Sequence, residues 1–591
     1  MERRRAVHLI AGAGTGVFIS TVLWAFGVPL KSGFWWRAVF VAAGAGGGVF
    51  LAGIFILAEV AVSSAGRRNP VPRLASLFLR PLPFLAYPAL ALFFLLLFIP
   101  PLNVYNQGAE VLARIGFSLL FSLIMVAVAA VVILPKRRPY ARAGAALLFV
   151  VVLFVWLYFS ERQPKKAEGV VLVTIDTLRS DYLGCYGHER GTSPFLDEIA
   201  AKGVRFSRAY ASAPVTDPSH VSMLSGLYPR GTGVIFNGYP ASYPKIDSIG
   251  RVFSDHGYHT AAITSRVRLN PAELNVPGFH YISCPEVRAL DTPASEATRR
   301  AALYMREHRS GPFFLWVHYW DPHLPFYPPR KYRDKFAPGV NSRGDAPVWL
   351  KNKNALSEEE ISDYRSLYEG EIFYTDHEMQ KLFSFAERLF GKSSSLTWVF
   401  VGDHGELLGE IQDRYPYGFG HYDFIYEENL RVPWLMYGKG VPAGRTVRPR
   451  VSTVNLAPTL LDLTGLSDLR EKDGKSLVPL ISGNKRPSKE AVFFERWLPE
   501  GGPLPQCKEP LHGVIKGNMK WIGNRSGYEE LYDLSKDPDE KNDLAQKKPE
   551  AARKMRSVFE RWDKDNPETS PDADQKLPVS VGDFRALGYF Q

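Results

Sequence analysis

The sequence predicts two architectures in series. A multi-pass α-helical membrane section is followed by an α/β domain with a mostly parallel sheet, which ends in a small antiparallel subdomain. Three observations carry this prediction. Apolar runs crowd the first 160 residues, and from residue 170 short β-branched runs alternate with helical segments. The charge is divided the same way: of 71 Lys+Arg and 60 Asp+Glu, residues 1–166 hold 17 and 4, leaving 54 and 56 for the rest. The net charge of +11 therefore belongs to the first section, and a nucleic-acid partner is excluded.

Five apolar runs, about Val7–Val28, Ala38–Val62, Leu82–Leu102, Ile115–Leu134 and Ala143–Phe159, each approach the ~20 residues that cross a bilayer as a helix. A cleaved signal peptide accounts for only the first. Arg3, Arg4 and Arg5 precede the first run; Arg67, Arg68, Arg73 and Arg80 lie between the second and third; Lys136, Arg137, Arg138 and Arg142 lie between the fourth and fifth. The positive-inside rule then places the N-terminus in the cytoplasm and everything after Phe159 outside it. Trp35, Trp36, Trp156 and Tyr158 suit interfacial anchors. Glu59, the lone acid in a span, reads as a last-turn side chain reaching the basic face. The expected organisation is 1–160 membrane section, 161–169 linker, 170–465 α/β domain and 466–591 C-terminal subdomain.

In the second section, Val170–Ile175 is a short β-branched run ending at Asp176, which reads as a buried strand. Phe195–Gly203 has helical spacing, with Thr192 or Ser193 as N-cap and Pro194 at the first position. Buried runs recur at Thr260–Thr264, Phe313–Val317, Leu396–Val401 and Val432–Tyr437, with helical segments such as Ser295–His308 and Glu369–Phe390 among them. This alternation predicts the parallel sheet, and such sheets gather their sites at the carboxyl ends of the strands. Asp176 follows one strand, and Asp403-His404 follows another with one Gly between. Charged Arg330–Ser357 reads as a lid or substrate loop. Gly513–Ile522 and Tyr528–Asp533 read as short antiparallel strands, and Lys547–Pro578 as a surface helix with a tether. The three cysteines, Cys185, Cys284 and Cys507, form no CxxC pair and suit packing roles.

The stretch Pro214-Val-Thr-Asp-Pro-Ser-His-Val-Ser-Met-Leu-Ser-Gly226 resembles the nucleophile loop of sulfatases. Val173–Gly187, Leu224–Pro229, Phe313–Pro325, Gly402–Glu406, Leu430–Pro433, Glu530–Leu534 and Arg585–Tyr589 resemble further motifs of sulfatase-type enzymes, in order. The resemblance implies an alkaline-phosphatase-like (sulfatase) fold over nearly all of 170–591. The departures bear on the reaction. The nucleophile position holds Thr216, and threonine cannot be oxidised to the formylglycine of sulfatases because its β-carbon carries a methyl group. Asp176 is followed by Thr177 rather than a second aspartate, His220 replaces the usual Arg, and the family's Gly-Lys-Trp-His motif is absent. A threonine there, behind five membrane spans, is similar to phosphoethanolamine transferases and lipoteichoic acid synthases.

The reading that follows makes Asp176, Asp403 and His404 metal ligands, with Thr216 as nucleophile and fourth ligand. A divalent zinc or manganese suits this mixed oxygen and nitrogen set better than calcium or magnesium. His421 takes the family's substrate-contact position and can protonate the leaving oxygen. His323 and His318 flank an Asp-Pro turn and can hold the anion or a second metal, His220 is a possible substrate contact, and Asp376 reads as structural. Pro218-Ser219 starts a helix whose N-terminus favours an anionic substrate. The leading expectation is a membrane-bound phosphoryl transferase or phosphodiesterase acting on envelope lipids or glycans. The alternatives are a sulfuric ester hydrolase without formylglycine, an inactive membrane-anchored scaffold, or a transport role, the last disfavoured by the lack of charge deep in the spans.

The loop charges make a direct topology prediction. A reporter active only outside the cytoplasm should be active when fused after Lys166 and silent after Arg138; the reverse pattern contradicts the five-span reading.

Overall fold

The computed structural model describes residues 169–569, apart from 239–245, 287–290, 341–355, 392–395, 416–418, 467–468, 484–489 and 498–508. The chain divides into two compact units, Met1–Gln163 and Pro164–Gln591. The expected membrane section and the Arg585–Tyr589 motif lie outside the described residues. Among the described residues, no helix is long and apolar enough to cross a membrane.

A nine-stranded mixed sheet forms the centre. Its strands are β1 (Gly169–Ile175), β2 (Val204–Tyr210), β3 (His259–Thr264), β4 (Tyr281–Ser283), β5 (Phe313–Tyr319), β6 (Leu396–Gly402), β7 (Arg431–Gly438), β8 (Arg445–Val447) and β9 (Val451–Ser452). The order is β8-β2-β7-β6-β1-β5-β3-β4, with β9 also on β2. The pairs β6-β1, β1-β5, β5-β3 and β3-β4 are parallel, and β7 runs against β6 and β2. The mostly parallel sheet is thus observed, with one antiparallel insertion the run lengths did not reveal.

Successive side chains of a strand point to opposite faces, and β1 fills two cores this way. Val170 and Leu172 join Phe206, Trp316, Val399 and Trp434 on one side. Val171, Val173 and Ile175 join the helices α1 (Pro194–Lys202), α3 (Ala294–Glu307) and α4 (Glu358–Phe390) on the other. All seven residues of β1 are buried, as expected of a strand covered on both faces. Between α1 and α3, helix α2 (Thr216–Ser225) packs its Val221, Met223 and Leu224 into the first core.

Helix α4 begins well before the expected Glu369. Ser357 Oγ accepts from Glu360 N at 3.3 Å while Glu360 Oε2 accepts from Ser357 N at 2.8 Å, a reciprocal cap that satisfies two end donors. The segment expected as a lid contains a short helix, Arg330–Phe336, while 341–355 lie outside the described residues. At the C-terminus an antiparallel sheet of β10 (Val492–Arg496), β11 (Leu511–Lys516), β12 (Met519–Gly523) and β13 (Glu529–Asp533) carries helix α5 (Pro549–Asp565). Arg230 joins this part to the main domain: its Nε donates to Glu495 Oε1 at 2.6 Å, and its Nη1 reaches Asp563.

Asp376 has a structural task. Its carboxylate accepts from Phe195 N and Leu196 N, both at 2.9 Å, so one helix supplies the N-terminal cap of another, which Ser193 does not provide with its own side chain. Asp376→Ala should lower stability to denaturant by about 2 kcal/mol without changing bound metal. An unchanged midpoint contradicts the capping role.

Candidate active site

The ends of β1 and β6 place two carboxylates side by side. Ile175 is in register with Gly402; beyond them Asp176 N donates to Tyr319 O at 3.0 Å and Asp403 N to Ile175 O at 3.2 Å. The ladder therefore runs one residue further and fixes both aspartates at the carboxyl end of the sheet. Gly402 is required there, because a Cβ would lie 2.6 Å from Leu178 O.

Asp176, Asp403 and His404 are fully buried, and one ligand atom from each lies within 4.8 Å of the others. Asp403 Oδ1 accepts from Thr177 N at 3.0 Å and His404 N at 2.7 Å. Asp403 Oδ2 and both oxygens of Asp176 have no hydrogen-bond partner. His404 Nδ1 faces Gly405 O at 3.0 Å; a carbonyl only accepts, so this nitrogen carries the proton and Nε2 is bare. That bare nitrogen lies 3.6 Å from Asp176 Oδ1, 3.4 Å from Asp403 Oδ2 and 3.2 Å from Thr216 Oγ1.

Three orphaned carboxylate oxygens and a bare imidazole nitrogen are a costly arrangement without a cation. Burial pushes Asp176 up to about 6 and Asp403 well above the usual carboxylate range, with Asp176 adding to the latter, while burial pushes His404 down to about 3. The orphaned donor set fits a divalent metal ion held by Asp176, Asp403 and His404.

Thr216 is the first residue of α2, with Val215 as its N-cap. The helix thus starts two residues before the expected Pro218. Ser219 Oγ donates to Asp403 O at 2.6 Å, tying the first turn of α2 to the loop that bears the ligands.

Thr174 organises the histidines. His220 Nδ1 faces Thr216 O at 2.8 Å and so carries the proton, which makes His220 Nε2 the acceptor for Thr174 Oγ1 at 3.0 Å. The Thr174 oxygen is then left to accept, from Trp316 Nε1 at 2.9 Å and from His318 Nδ1 at 3.1 Å. His318 Nε2 is consequently bare, 3.5 Å from Asp176 Oδ2 and without a hydrogen-bond partner. Both ring nitrogens of His220, expected as a possible substrate contact, are engaged by the protein. His318 remains turned toward the carboxylates.

His323 and His421 complete the group. His421 Nδ1 lies 2.9 Å from Glu406 Oε2 and His323 Nδ1 lies 2.5 Å from Leu324 O, while neither Nε2 has a partner. The His421 ring centre is 4.4 Å from that of His404 and 5.2 Å from that of His323. Burial lowers His421 to about 4 and His323 well below the ordinary histidine value. Sequence reasoning missed Thr174 and Glu406. Thr174 looks like one more β-branched core residue, whereas Glu406, an acid two places past His404, was a usable signal.

Residues 169–466 match the family described as Sulfatase, and residues 417–564 match N-sulphoglucosamine sulphohydrolase, C-terminal. The arylsulfatase of Clostridium perfringens is 24% identical over 449 residues, covering 64% of this chain and 90% of its own. Arylsulfatase K of Mus musculus is 25% identical over 453 residues, covering 67% and 80%. The crystal structure of the phosphonate monoester hydrolase of Agrobacterium radiobacter superposes with a TM-score of 0.57 at 20% identity, covering 68% of this chain and 96% of that one. With half of its length matched to the family, the chain belongs to the sulfatases, metal-binding hydrolases of the alkaline phosphatase superfamily.

Proposed function

We propose that the chain hydrolyses a sulfate ester of an envelope lipid or glycan, with Thr216 as nucleophile and the catalytic domain outside the cytoplasmic membrane. The observation that carries the site is Thr216 Oγ1 at 3.2 Å from the bare His404 Nε2, beside three orphaned carboxylate oxygens. The arylsulfatase relatives support sulfate over the phosphoryl chemistry that the sequence put first. When bound, zinc or manganese held by Asp176, Asp403, His404 and Thr216 lowers the pKa of the threonine hydroxyl and screens the charge of the attacked group.

The residues then divide the work. Thr216 Oγ1 forms a bond to sulfur as the ester S–O bond breaks, and its proton passes to a bare ring nitrogen, His421 Nε2 or His323 Nε2. The protonated ring returns that proton to the departing alcohol oxygen. Glu406, 2.9 Å from His421 Nδ1, orients the ring during this exchange. Water next attacks sulfur and gives a proton to the same ring, the bond to Thr216 breaks, and the ring returns that proton to Thr216 Oγ1, restoring the hydroxyl. The N-terminal N–H groups of α2 face the anionic group.

A second reading, phosphodiester hydrolysis or phosphoryl transfer, is favoured by Thr216 itself. A formylglycine diol can expel sulfate by elimination, and a threonine ester cannot; a phosphothreonine needs no such route. The intact ligand set argues against an inactive scaffold.

Paired substrates test both readings. Purified chain should hydrolyse 4-nitrophenyl sulfate faster than bis(4-nitrophenyl) phosphate; the opposite preference selects the second reading. Thr216→Ala should lower turnover on the better substrate by roughly 10³-fold or more, with Thr216→Ser keeping part of it. Full activity in Thr216→Ala contradicts both readings.

The metal makes a separate prediction. Elemental analysis should find about one transition-metal ion per chain, lost in Asp403→Ala, and chelation should lower the melting temperature of the wild type but not of that variant. Active protein free of metal contradicts the assignment.

A further inference from the structure

A second feature lies beside the catalytic end of the sheet. Strands β2 and β7 lose register between Phe206 and Ala209, and Tyr186 fills the gap, its hydroxyl donating to Phe206 O at 2.8 Å and accepting from Trp434 N at 3.1 Å. Arginines gather around this bulge. The Arg205 guanidinium lies 5.4 Å over the Tyr186 ring. Arg431, paired with Tyr210 in the ladder, donates from Nη2 to Ser207 O at 3.2 Å. Arg208 donates from Nη2 to Arg448 O at 2.7 Å, and Arg450 from Nε to Tyr210 Oη at 3.4 Å.

Among the described residues, these contacts go to carbonyls, a ring and a hydroxyl. None of Arg205, Arg208, Arg431, Arg448 and Arg450 forms an ion pair there. Elsewhere arginines such as Arg179, Arg230, Arg251, Arg299 and Arg556 each meet a carboxylate. Glu427 is the carboxylate nearest in the bonding network, and it is already held by Tyr210 Oη at 3.1 Å and Lys520 Nζ at 3.3 Å. Arg208 is held below the ordinary arginine value, first by burial and then by Arg450 and Arg431. The contrast with composition is sharp, since residues 167–591 carry 54 basic and 56 acidic side chains. Among the described residues, a domain balanced in charge concentrates arginines that form no ion pair in one place, a self-repulsion that a bound anion would relieve.

The location chooses the anion. Arg431 and Tyr210 stand at the end of the sheet that bears Asp176 and Asp403, because Val401 of β6 pairs with Trp434 of β7 and the bulge lies beyond that point. Gly169, the first residue of β1, pairs with Phe313 and Leu396 at the opposite end. We propose that Arg205, Arg208, Arg431 and Arg450 form an exosite for a polyanionic polysaccharide, holding the anionic groups that flank the ester presented to Thr216. The substrate role rests on the anionic-ester reading above; the binding itself does not.

The test uses dextran sulfate as probe, with the full chain in detergent. Wild type should bind it with an affinity that falls steeply with salt, and the double variant Arg208→Gln/Arg450→Gln should bind about tenfold more weakly, the loss expected for two solvent-facing ion pairs. Arg208→Lys/Arg450→Lys should recover most of the binding, and kcat/KM on the small aryl ester should stay at the wild-type value in both variants. Equal binding by wild type and the glutamine variant overturns the exosite, as does capture by phosphatidylglycerol vesicles in preference to the polymer. Polymer binding that persists in a chain inactive on every aryl ester sinks the catalytic reading and leaves the exosite standing.

Discussion

Two aspartates at the ends of adjacent parallel strands, buried with three oxygens unsatisfied, set the terms for this domain. Asp176 and Asp403 are held in place by the ladder itself, since each is one residue beyond the pairing of Ile175 with Gly402. A cation between them would relieve their mutual repulsion and the loss of water. The neighbouring groups answer that demand: His404 offers a bare nitrogen, and the hydroxyl of Thr216 lies within reach of it. A missing ladder bond or a Cβ at Gly402 would spread these groups apart.

A single hydroxyl extends the same order through the histidines. Thr174 Oγ1 donates to His220 and accepts from Trp316 and His318, so the protonation of His220 at one nitrogen determines which nitrogen of His318 is bare. His220 thereby acts as the link between α2, whose carbonyl at Thr216 it binds, and the end of β1. The usual arginine of the family would bring a charge to this place. A neutral imidazole with both ring nitrogens engaged by the protein brings none.

Much of the fold was legible because strands buried on both faces read as unbroken apolar runs. The runs at Val170, Thr260, Phe313, Leu396 and Val432 all became strands within about two residues at either end. Strand β2, Val-Arg-Phe-Ser-Arg-Ala-Tyr, escaped because its arginines interrupt the run and its bulge breaks the alternation. The start of α4 escaped because a Ser followed by three Glu reads as solvated loop unless the reciprocal cap is recognised. At the site, residues adjacent to strand ends could be found from sequence position. The Thr174 network could not, since it joins residues 46 to 144 positions apart. The same limit applies to the arginine cluster, whose members come from two strands and a connecting segment and meet only in the folded sheet.

The central claim is that Thr216 takes the anionic group covalently. Turnover of an aryl ester quenched in acid during the pre-steady state, followed by high-resolution mass spectrometry of the proteolytic peptide that contains Thr216, addresses it directly. The account predicts a sulfo or phospho adduct on Thr216, distinguished by mass, that forms with the burst of released phenol and decays in step with hydrolysis. Active enzyme whose Thr216 peptide stays unmodified through the burst, or whose adduct sits on another residue, contradicts it.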